Sequence, residues 1–293
     1  MYPRAGATME VNGLTADQIA SYKRDGFLVI EGFRSSEECD ALRSHVEGLV
    51  EEFDPDEVPT VFKTTDQAGE QDRYWLESGD KVRFFFEEDA FDADGGLTVD
   101  KNLAINKLGH AMHDLDPVFE RFTRRPDLAA VISDLGVVDP LLLQSMYIFK
   151  QPGIGGAVAL HQDDTYLHTD PPSVVGCWFA IEDATTENGC LWVTPTGAST
   201  QRSHRFRINE HGQGEFEDGE VVELSTVEEV AVEVPKGSLV VFTGLTAHRS
   251  EANTSPLSRQ AYTLHVIDGA CDYPPDNWLQ RDDTLPLRGF EVT

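Results

Sequence analysis

Lysine is scarce in this chain of 293 residues, which contains seven lysines, 23 basic residues in all and 52 acidic ones. The formal net charge of -29 would repel nucleic acid and anionic membrane surfaces at ordinary salt, so neither is expected as a partner. An acidic, lysine-poor surface also needs screening ions to stay compact. A halophilic source is therefore a hypothesis that the composition suggests.

Long apolar runs are also missing, since none approaches the roughly 18 residues of a membrane-spanning helix. The N-terminal stretch MYPRAGATMEVNG has no hydrophobic signal-peptide region. The four cysteines, Cys39, Cys177, Cys190 and Cys271, form no Cys-x-x-Cys pair of the kind that indicates zinc or redox chemistry. We therefore predict a soluble, cytoplasmic protein with reduced, structural cysteines.

Apolar residues are abundant enough for a globular core, because they make up 40% of the chain and include 16 phenylalanines and four tryptophans. A chain of this length can form one large domain. We predict a single domain over residues 1–293, and the sequence gives no indication of an oligomeric state.

The N-terminal part carries strong helix signals. Thr15 and Gln18 have the spacing of a capping box, and Gly26 can end the helix that they begin. Ser35 and Glu38 repeat the capping signal before a run of apolar residues at helical spacing. Two more helices are expected at about 116–124 and 126–135, whereas residues 54–80 are predicted to form a loop or lid. Residues 14–136 are thus expected to be mainly helical.

From residue 141 the sequence changes to short β-like runs separated by turn residues such as PGIGG, TENG and PKG. These runs predict a mainly β fold, an all-β sandwich or jelly-roll barrel at 141–270, with helices in front and a C-terminal extension at 271–293. The runs are LLLQSMYIFK, VVGCWFAIED, GCLWVTP, EVVEL, EVAVEVP, SLVVFTG and RQAYTLHVI.

Three His-x-acid triplets are possible halves of a metal site, a number that chance alone would produce in so acidic a chain. They are His45-Val46-Glu47, His161-Gln162-Asp163 and His168-Thr169-Asp170. Side chains at i and i+2 share a face only in extended chain, so the first triplet, inside a helix, is interpreted as solvated. The other two can both be extended, and local sequence leaves the choice between them open.

The remaining ligands favour the triplet at 161. Non-haem iron(II) oxygenases bind their metal through two histidines and one carboxylate on one face, which leaves positions for O2 and a co-substrate. The stretch PKGSLVVFTGLTAHRS supplies a strand ending in His248, and Arg259 follows eleven residues later. A guanidinium there can bind the far carboxylate of 2-oxoglutarate through two parallel hydrogen bonds.

The chain resembles the phytanoyl-CoA dioxygenase family almost from end to end. The similar stretches are DGFLVIEGF, SGDKVRFFFE, INKLGHAMHDLDPVF, QSMYIFKQP, HQD, EDATTENGCLW, SRQAYTLH and PDNWLQ. The resemblance implies a double-stranded β-helix, or jelly roll, with flanking N-terminal helices and a site for iron(II), 2-oxoglutarate and O2. The implied metal ligands are His161, Asp163 and His248. The implied 2-oxoglutarate contacts are Arg259, Ser250, Trp178 and Met146, and His168 would then line the substrate pocket.

Two features depart from the pattern of the family. Relatives usually read Pro-Gly-Ser-His after the NGCLW strand, whereas this chain reads Pro195-Thr196-Gly197-Ala198, so a serine and a histidine beside the pocket are missing. A lysine that contacts 2-oxoglutarate in relatives falls near DKNLAINK, where both Lys101 and Lys107 are candidates. Neither departure affects the iron ligands.

The expected function is that of an iron(II)- and 2-oxoglutarate-dependent dioxygenase that hydroxylates a small organic substrate and releases succinate and CO2. Asp163 favours hydroxylation over halogenation, since halogenases of this fold replace the carboxylate with alanine or glycine. The alternatives are an acyl-CoA 2-hydroxylase of the phytanoyl-CoA type and a non-catalytic jelly-roll binding module.

The basic run QRSHRFR at 201–207 is interpreted as a solvated loop in preference to an anion-binding flap. An ectoine hydroxylase is disfavoured, because the aromatic-rich surroundings of that family's His-x-Asp are not matched by LHQDDTYLHTDP.

Overall fold

The structure is a computed structural model that describes residues 4–5, 13–55, 73–92, 94, 96–195, 201–217 and 228–291. Its helices begin where the sequence signals place them. Thr15 and Ser35 each form a complete capping box, and Gly26 ends the first helix in the left-handed conformation. The helices are α1 (Ala16–Asp25), α2 (Ser36–Glu52), α3 (Arg73–Leu76), α4 (Lys101–Ala104), α5 (Met112–Leu115), α6 (Pro117–Thr123) and α7 (Pro126–Asp134).

The larger of two main sheets has eight strands in the order β1-β2-β12-β7-β14-β5-β4-β3 and is antiparallel except at the β1–β2 pair. Alternate residues of each strand therefore point to opposite faces of this sheet. Its strands are β1 (Arg4–Ala5), β2 (Phe27–Ile30), β3 (Val82–Phe86), β4 (Ile105–His110), β5 (Pro140–Ile148), β7 (Val175–Ala180), β12 (Leu239–Thr243) and β14 (Ala261–Asp268).

The smaller sheet has four strands in the order β11-β8-β13-β6, and a separate hairpin pairs β9 with β10. These strands are β6 (Val158–His161), β8 (Leu191–Val193), β9 (Phe206–Ile208), β10 (Gly214–Phe216), β11 (Val230–Val232) and β13 (His248–Ser250). The predicted strand EVVEL, at 220–224, lies outside the described residues.

The two faces of the large sheet bury different apolar clusters. On β7, Trp178 and Ala180 pack with Leu191 and Val193 of the smaller sheet and form the core between the sheets. The alternating residues, such as Phe179 of the same strand, pack against the helices α1, α2, α6 and α7. This alternation is the pattern expected of a sheet buried on both sides. It agrees with the predicted sandwich or jelly roll with helices in front.

The strands β2, β3 and β4 were not predicted, because the N-terminal part was expected to be mainly helical. They add to the large sheet, so the sheet extends well before residue 141. Of the predicted loop at 54–80, residues 56–72 lie outside the described part, and α3 occupies 73–76. Further along the chain, Trp278 and Leu279 of the C-terminal segment pack on Leu143 and Ile267 and cover the end of the barrel interior.

None of the described helices is long and apolar enough to cross a membrane. The four cysteines are free thiols, as predicted, and three of them are buried.

Candidate metal centre

Two histidines and one aspartate meet where the strands of the smaller sheet come together. His161 is the last residue of β6 and pairs in register with His248, the first residue of β13. Gln162 has extended backbone, with φ -116° and ψ 136°, which returns Asp163 to the face of His161. One ligand atom from each of the three lies within 4.8 Å of the other two. Of the described residues, these form the one such cluster that could hold a metal ion.

The backbone orients both imidazole rings toward the carboxylate. His161 Nδ1 donates to the Ala159 carbonyl at 2.9 Å, and His248 Nδ1 donates to the Thr246 carbonyl at 3.0 Å. Each Nε2 then lies 3.7 Å from Asp163 Oδ1. Because Nδ1 carries the proton, Nε2 keeps a free lone pair, which is the arrangement a metal-binding histidine requires.

Burial sets the charges of the cluster. It lowers the pKa of His161 to about 4, assisted by the neighbouring His248. For Asp163, burial acts to raise the pKa, but the imidazoles of His265, His248 and His161 outweigh it and hold the pKa below its usual range. The carboxylate is thus ionised beside a neutral His161 imidazole, and this donor set fits a divalent iron ion.

His265 is a neighbour of the triad that the sequence reasoning missed. It lies on β14, and its Nε2 is 3.0 Å from Asp163 Oδ2. The available signal was the alternation of RQAYTLHVI, which places His265 on the same face as Thr263. That signal could not reveal that Asp163, a hundred residues earlier, lies opposite.

The structure separates the members of the triplet at 168. His168 Nδ1 lies 3.6 Å from Asp164 Oδ2 and also contacts the Arg202 guanidinium. Asp170 is exposed and pairs through its backbone with Asp272. The side chains of this triplet therefore do not share a metal-binding face, and the choice that local sequence left open is resolved toward His161.

The triplet at 45 is also separated, but His45 is not solvated as predicted. Its Nε2 lies 2.7 Å from Asp116 Oδ2 at the start of α6, whereas Glu47 is exposed and lies near Arg43. His45 therefore links two helices, which helical periodicity alone did not indicate.

The strand expected to end in His248 is two strands. The β12 strand stops at Thr243, and a turn closed by the hydrogen bond from Thr246 N to the Thr243 carbonyl precedes β13. The Thr246 hydroxyl also donates to the Gly26 carbonyl at 2.8 Å. This turn moves the chain from the large sheet to the small one, so that His248 can pair with His161.

Arg259 is almost fully buried just before β14. Its Nε donates to the Gly189 carbonyl at 3.0 Å, and its guanidinium carbon lies 5.4 Å from the centre of the Trp178 ring. Burial lowers the pKa of Arg259 to about 10, so the side chain remains a cation. Among the described residues, no group accepts a hydrogen bond from its buried Nη1. An unpartnered, buried guanidinium edge fits a carboxylate ligand such as the far end of 2-oxoglutarate.

The other predicted co-substrate contacts face the same interior. Thr263 pairs with both Met146 and Trp178, and paired residues of neighbouring strands share a face. Since Trp178 belongs to the core between the sheets, Met146 points inward as well. Ser250 is buried two residues after His248 on β13. The structure thus brings all the predicted site residues to one side of the large sheet or to the strand that faces it.

The structure distinguishes the two candidate lysines. Lys101 donates to the carbonyls of Glu51 and Phe53 at the end of α2, outside the barrel. Lys107 is buried on β4, and its Nζ lies 5.4 Å from the centre of the Phe85 ring. Burial lowers the pKa of Lys107 to about 7. Lys107 is therefore the lysine that can meet an anion inside the barrel.

Comparison with known proteins places this geometry in a family. The model of the phytanoyl-CoA dioxygenase family matches residues 22–261. A phytanoyl-CoA dioxygenase of Arabidopsis thaliana is 42% identical over 269 residues, which cover 92% of this chain and 94% of the relative. Phytanoyl-CoA dioxygenase domain-containing protein 1 of Bos taurus is 42% identical, with 94% and 97% of the two chains covered.

The chain belongs to the phytanoyl-CoA dioxygenase family. The predicted family is confirmed, and the domain-containing protein 1 subgroup, which the sequence also resembles, supplies several of the similar relatives.

Solved structures confirm the predicted jelly roll. The α-ketoglutarate-dependent carbocyclase SnoK of nogalamycin biosynthesis superposes with a TM-score of 0.64 at 18% identity, covering 92% of this chain and 90% of its own. EctD of S. alaskensis, solved with 2-oxoglutarate and 5-hydroxyectoine, gives 0.62 at 19%, with 98% and 88% covered. At these identities the likeness concerns the fold.

Family membership together with the triad confirms the predicted class, a non-haem iron dioxygenase that depends on 2-oxoglutarate and O2. Of the departures from the family pattern, Thr196, Gly197 and Ala198 lie outside the described residues.

The basic run at 201–207 does not form the solvated loop that was predicted. Its end forms β9, which pairs with β10. Arg205 pairs with Asp276 and lies 3.4 Å from Glu217. Arg207 pairs with Glu215 at 2.9 Å. These guanidinium groups are therefore neutralised by carboxylates of the same region.

Proposed function

We propose that this protein is an iron(II)- and 2-oxoglutarate-dependent hydroxylase of a small organic substrate. The observation that carries the proposal is the combination of a two-histidine, one-carboxylate triad with the unpartnered, buried guanidinium edge of Arg259. A metal ion and a dicarboxylate would satisfy these two features together.

His161, Asp163 and His248 would hold the metal through their Nε2, Oδ1 and Nε2 atoms. Bound iron(II) would couple the activation of O2 to the oxidative decarboxylation of 2-oxoglutarate, yielding succinate and CO2. The backbone hydrogen bonds at each Nδ1 keep the two histidines in the tautomer that binds metal. Asp163 occupies the third position with a carboxylate, which favours hydroxylation.

Arg259 would bind the far carboxylate of 2-oxoglutarate, with Lys107 as a second cation on the interior face. Trp178 packs against the Arg259 guanidinium and excludes water from it. Met146 and Ser250 would contact the rest of the co-substrate. A dry, positively charged pocket strengthens each of these contacts.

A small substrate fits this chain better than an acyl-CoA, although the relatives carry the name of phytanoyl-CoA. Coenzyme A has three phosphate groups, and proteins bind phosphates through available arginine or lysine side chains. Arg205 and Arg207 of the basic run are already paired with carboxylates, and Arg202 lies 3.2 Å from Asp164. The net charge of -29 adds a repulsion that high salt would screen.

Iron binding tests the metal site. The anaerobically reconstituted protein should bind about one Fe(II), and His161→Ala, Asp163→Ala and His248→Ala should each lose most of it, because a divalent ion loses a ligand from a three-residue set. His168→Ala and Asp170→Ala are the matched controls and should keep the iron. Iron retained by His161→Ala, or lost from Asp170→Ala, would place the site elsewhere.

Succinate release tests the reaction. We expect slow succinate production with iron and 2-oxoglutarate alone, and faster production with a member of a panel of small carboxylic acids and amines. Phytanoyl-CoA and straight-chain acyl-CoAs should leave the rate at its background. Stimulation by an acyl-CoA that Arg205→Ala with Arg207→Ala abolishes would identify an acyl-CoA hydroxylase, and absence of iron and 2-oxoglutarate binding would identify a binding module.

A further inference from the structure

A second group of buried polar atoms lies beside the triad, and among the described residues none of these atoms has a hydrogen-bond partner. The side chains that carry them are at least nine-tenths buried. Leaving such an atom unpaired costs about 1–3 kcal/mol, so a cluster of them calls for a ligand or bound water. The atoms are His265 Nδ1, His110 Nε2, Trp278 Nε1, and both Nε and Nη1 of Arg281.

Three consecutive residues of β5 bring these groups together. The Leu143 carbonyl accepts a hydrogen bond from Arg281 Nη2 at 3.3 Å. The next residue, Gln144, pairs with His265 across the sheet. Ser145, the residue after it, pairs with His110 on the other side. The ring of His110 meets the ring of Trp278, and the charges of Lys107, His265 and Arg281 all act on His110, so these side chains lie close together.

The aromatic rings around the cluster form an apolar wall. The Trp278 ring meets His110 edge-on, with centroids 5.3 Å apart, and stacks on Trp75 at 4.1 Å. Phe206 lies 5.9 Å from Trp75. A pocket with apolar walls and a few convergent polar atoms is typical of a small-molecule site.

Arg281 shares its nearest acid with two other arginines. Asp114 Oδ1 already accepts from Arg124 at 2.6 Å and from Arg288 at 2.8 Å. Arg281 Nη2 forms a longer ion pair, at 3.6 Å, with the other oxygen of Asp114, and Arg281 Nε and Nη1 have no acceptor among the described residues. Arg281 is thus a buried cation with donors available for an anionic ligand.

His110 presents an acceptor to the cluster. Ser78 Oγ donates to the Trp75 carbonyl at 2.5 Å, so it must accept from His110 Nδ1 at 2.7 Å. Burial and the nearby charges of Lys107 and His265 keep the pKa of His110 well below its usual range. His110 is therefore neutral, and its Nε2 is a lone pair. His265 has its Nε2 3.0 Å from Asp163 Oδ2, and its buried Nδ1 has no hydrogen-bond partner among the described residues.

The cluster adjoins the triad through His265, whose Nε2 lies 3.0 Å from Asp163 Oδ2. Its cation, Arg281, belongs to the C-terminal segment, whereas the proposed co-substrate anchor, Arg259, lies just before β14 and packs on Trp178. Both arginines have a buried donor without an acceptor among the described residues, so the two cations can hold two separate anionic groups. With 2-oxoglutarate assigned to Arg259, the cluster has the position of a site for the primary substrate.

We propose that Arg281, His110 and His265 bind the polar end of that substrate, and that the substrate is a small amino acid or hydroxy acid. Its carboxylate would accept hydrogen bonds from Arg281, its ammonium or hydroxyl group would donate to His110 Nε2, and His265 Nδ1 would be a further polar contact. The aromatic wall would enclose its apolar part. This inference rests on the proposed hydroxylase function, because it assigns the substrate of that same site.

Binding to the anaerobic enzyme loaded with Fe(II) and 2-oxoglutarate tests the inference without requiring turnover. The probes are amino acids and 2-hydroxy acids of two to eleven carbons, including matched sets such as L-leucine, 2-hydroxy-4-methylpentanoate, 4-methylpentanoate and 3-methylbutylamine. Saturation-transfer NMR and thermal shift report binding. We expect at least one amino or hydroxy acid to bind tenfold or more tightly than its plain acid and its plain amine.

Two variants measure the contributions of Arg281 and His110 separately. Arg281→Met should weaken the binding of that probe at least tenfold, because it removes the cation and its two donors. Arg288→Met is the matched control, since Arg288 contacts the same Asp114 but donates to the carboxylates of Asp114 and Glu120. The Arg288→Met variant should bind the probe like the wild type. His110→Phe keeps the ring but removes the acceptor, so the probe should lose its advantage over the plain acid.

Equal binding of every probe by the wild type and Arg281→Met, or no binding of any probe, would overturn the inference. Succinate release by the wild type, measured on the same preparation, keeps the two proposals apart. If succinate is released but no probe depends on Arg281, the substrate assignment fails and the hydroxylase stands. If the wild type neither binds iron nor releases succinate, the hydroxylase itself fails.

Discussion

At the scale of single residues, the site depends on buried polar atoms that the protein does not satisfy by itself. Arg259 packs on Trp178 and leaves Nη1 without an acceptor among the described residues. Natural proteins pair nearly all such groups, so an exception beside a metal triad marks a position for a ligand. This reasoning applies to the co-substrate side of the triad at Arg259 and to the substrate side at Arg281.

Replacing Arg259 tests the co-substrate anchor. Arg259→Met should weaken 2-oxoglutarate binding by about 30-fold or more while iron stays bound, because losing one partner of a buried charged contact costs about 2–5 kcal/mol. Titration of the Fe(II)–2-oxoglutarate absorption band would measure it. Arg43→Met, which removes a surface arginine paired with Glu182, should titrate like the wild type. An unchanged titration in Arg259→Met would make that arginine structural.

Burial of Lys107 should make the stability of the protein depend on pH. Burial lowers its pKa to about 7, below the value of about 10.4 in an unfolded chain. The unfolded state therefore binds more protons between these values, so the free energy of unfolding rises with pH from about 7 to 10. Lys107→Met should remove this dependence, which amounts to about 4 kcal/mol between pH 7 and 10.4.

Urea unfolding at several pH values would measure that effect. In the presence of 2-oxoglutarate the pH dependence of the wild type should weaken, because a bound anion raises the pKa of Lys107. A Lys107→Met variant whose free energy of unfolding varies with pH as that of the wild type does would show that Lys107 is not the cause.

At the scale of elements, the close packing of Gly176 in β7 against Phe242 supports the metal ligand His248. A Cβ on Gly176 would lie 2.3 Å from the Phe242 ring, and that ring lies 4.6 Å from the ring of His248. Glycine is thus required where the strand passes under a phenylalanine that packs on a metal ligand.

Two glycine substitutions should therefore have opposite effects. Gly176→Ala should lower the free energy of unfolding by about 1–3 kcal/mol through overpacking and weaken iron binding through Phe242 and His248. Gly48→Ala in α2, where a Cβ meets nothing within 4 Å, should raise it by about 0.5–1 kcal/mol. Thermal unfolding and iron titration would measure both. A stable Gly176→Ala protein with normal iron affinity would contradict this role.

The elements that the sequence predicted well are those with local signals. The capping boxes at Thr15 and Ser35 and the proline at the start of α7 all mark helix starts within four residues. The strands β2, β3 and β4 were missed, because they are short and lie between helices. The turn before His248 was missed because the residues that hold it, such as Gly26, are distant in the chain.

At the scale of the whole molecule, the net charge of -29 should make stability depend on salt. Raising KCl from 0.1 to 1 M shortens the screening length from about 10 Å to about 3 Å and reduces repulsion among surface carboxylates. We expect the melting temperature to rise by about 5 °C or more. Relieving this repulsion should stabilise the protein by several kcal/mol, and each kcal/mol raises the melting temperature by about 2–4 °C. Sorbitol at matched osmolality is the control, and an equal rise in sorbitol would show that charge is not the cause.

The sequence by itself determined the fold class, the family and the type of metal site. Strand alternation, helix caps and the His-x-Asp spacing depend on residues close together in the chain, and the stretches shared with the family extend over most of it. The sequence also predicted His161, Asp163 and His248 as metal ligands and Arg259 as the co-substrate anchor, because an extended triplet, a later histidine and a later arginine match one known chemistry.

Only the tertiary structure decided which polar groups meet. It selected Lys107 over Lys101, brought His265 to Asp163, and placed Arg281 near His110 with donors that no described residue accepts. Each of these contacts joins residues from different strands or segments. Their meeting depends on sheet register and on the folding of the C-terminal segment over the barrel, which no local pattern encodes. The physical reason is that a side chain's charge and hydrogen bonds are fixed by what surrounds it after burial.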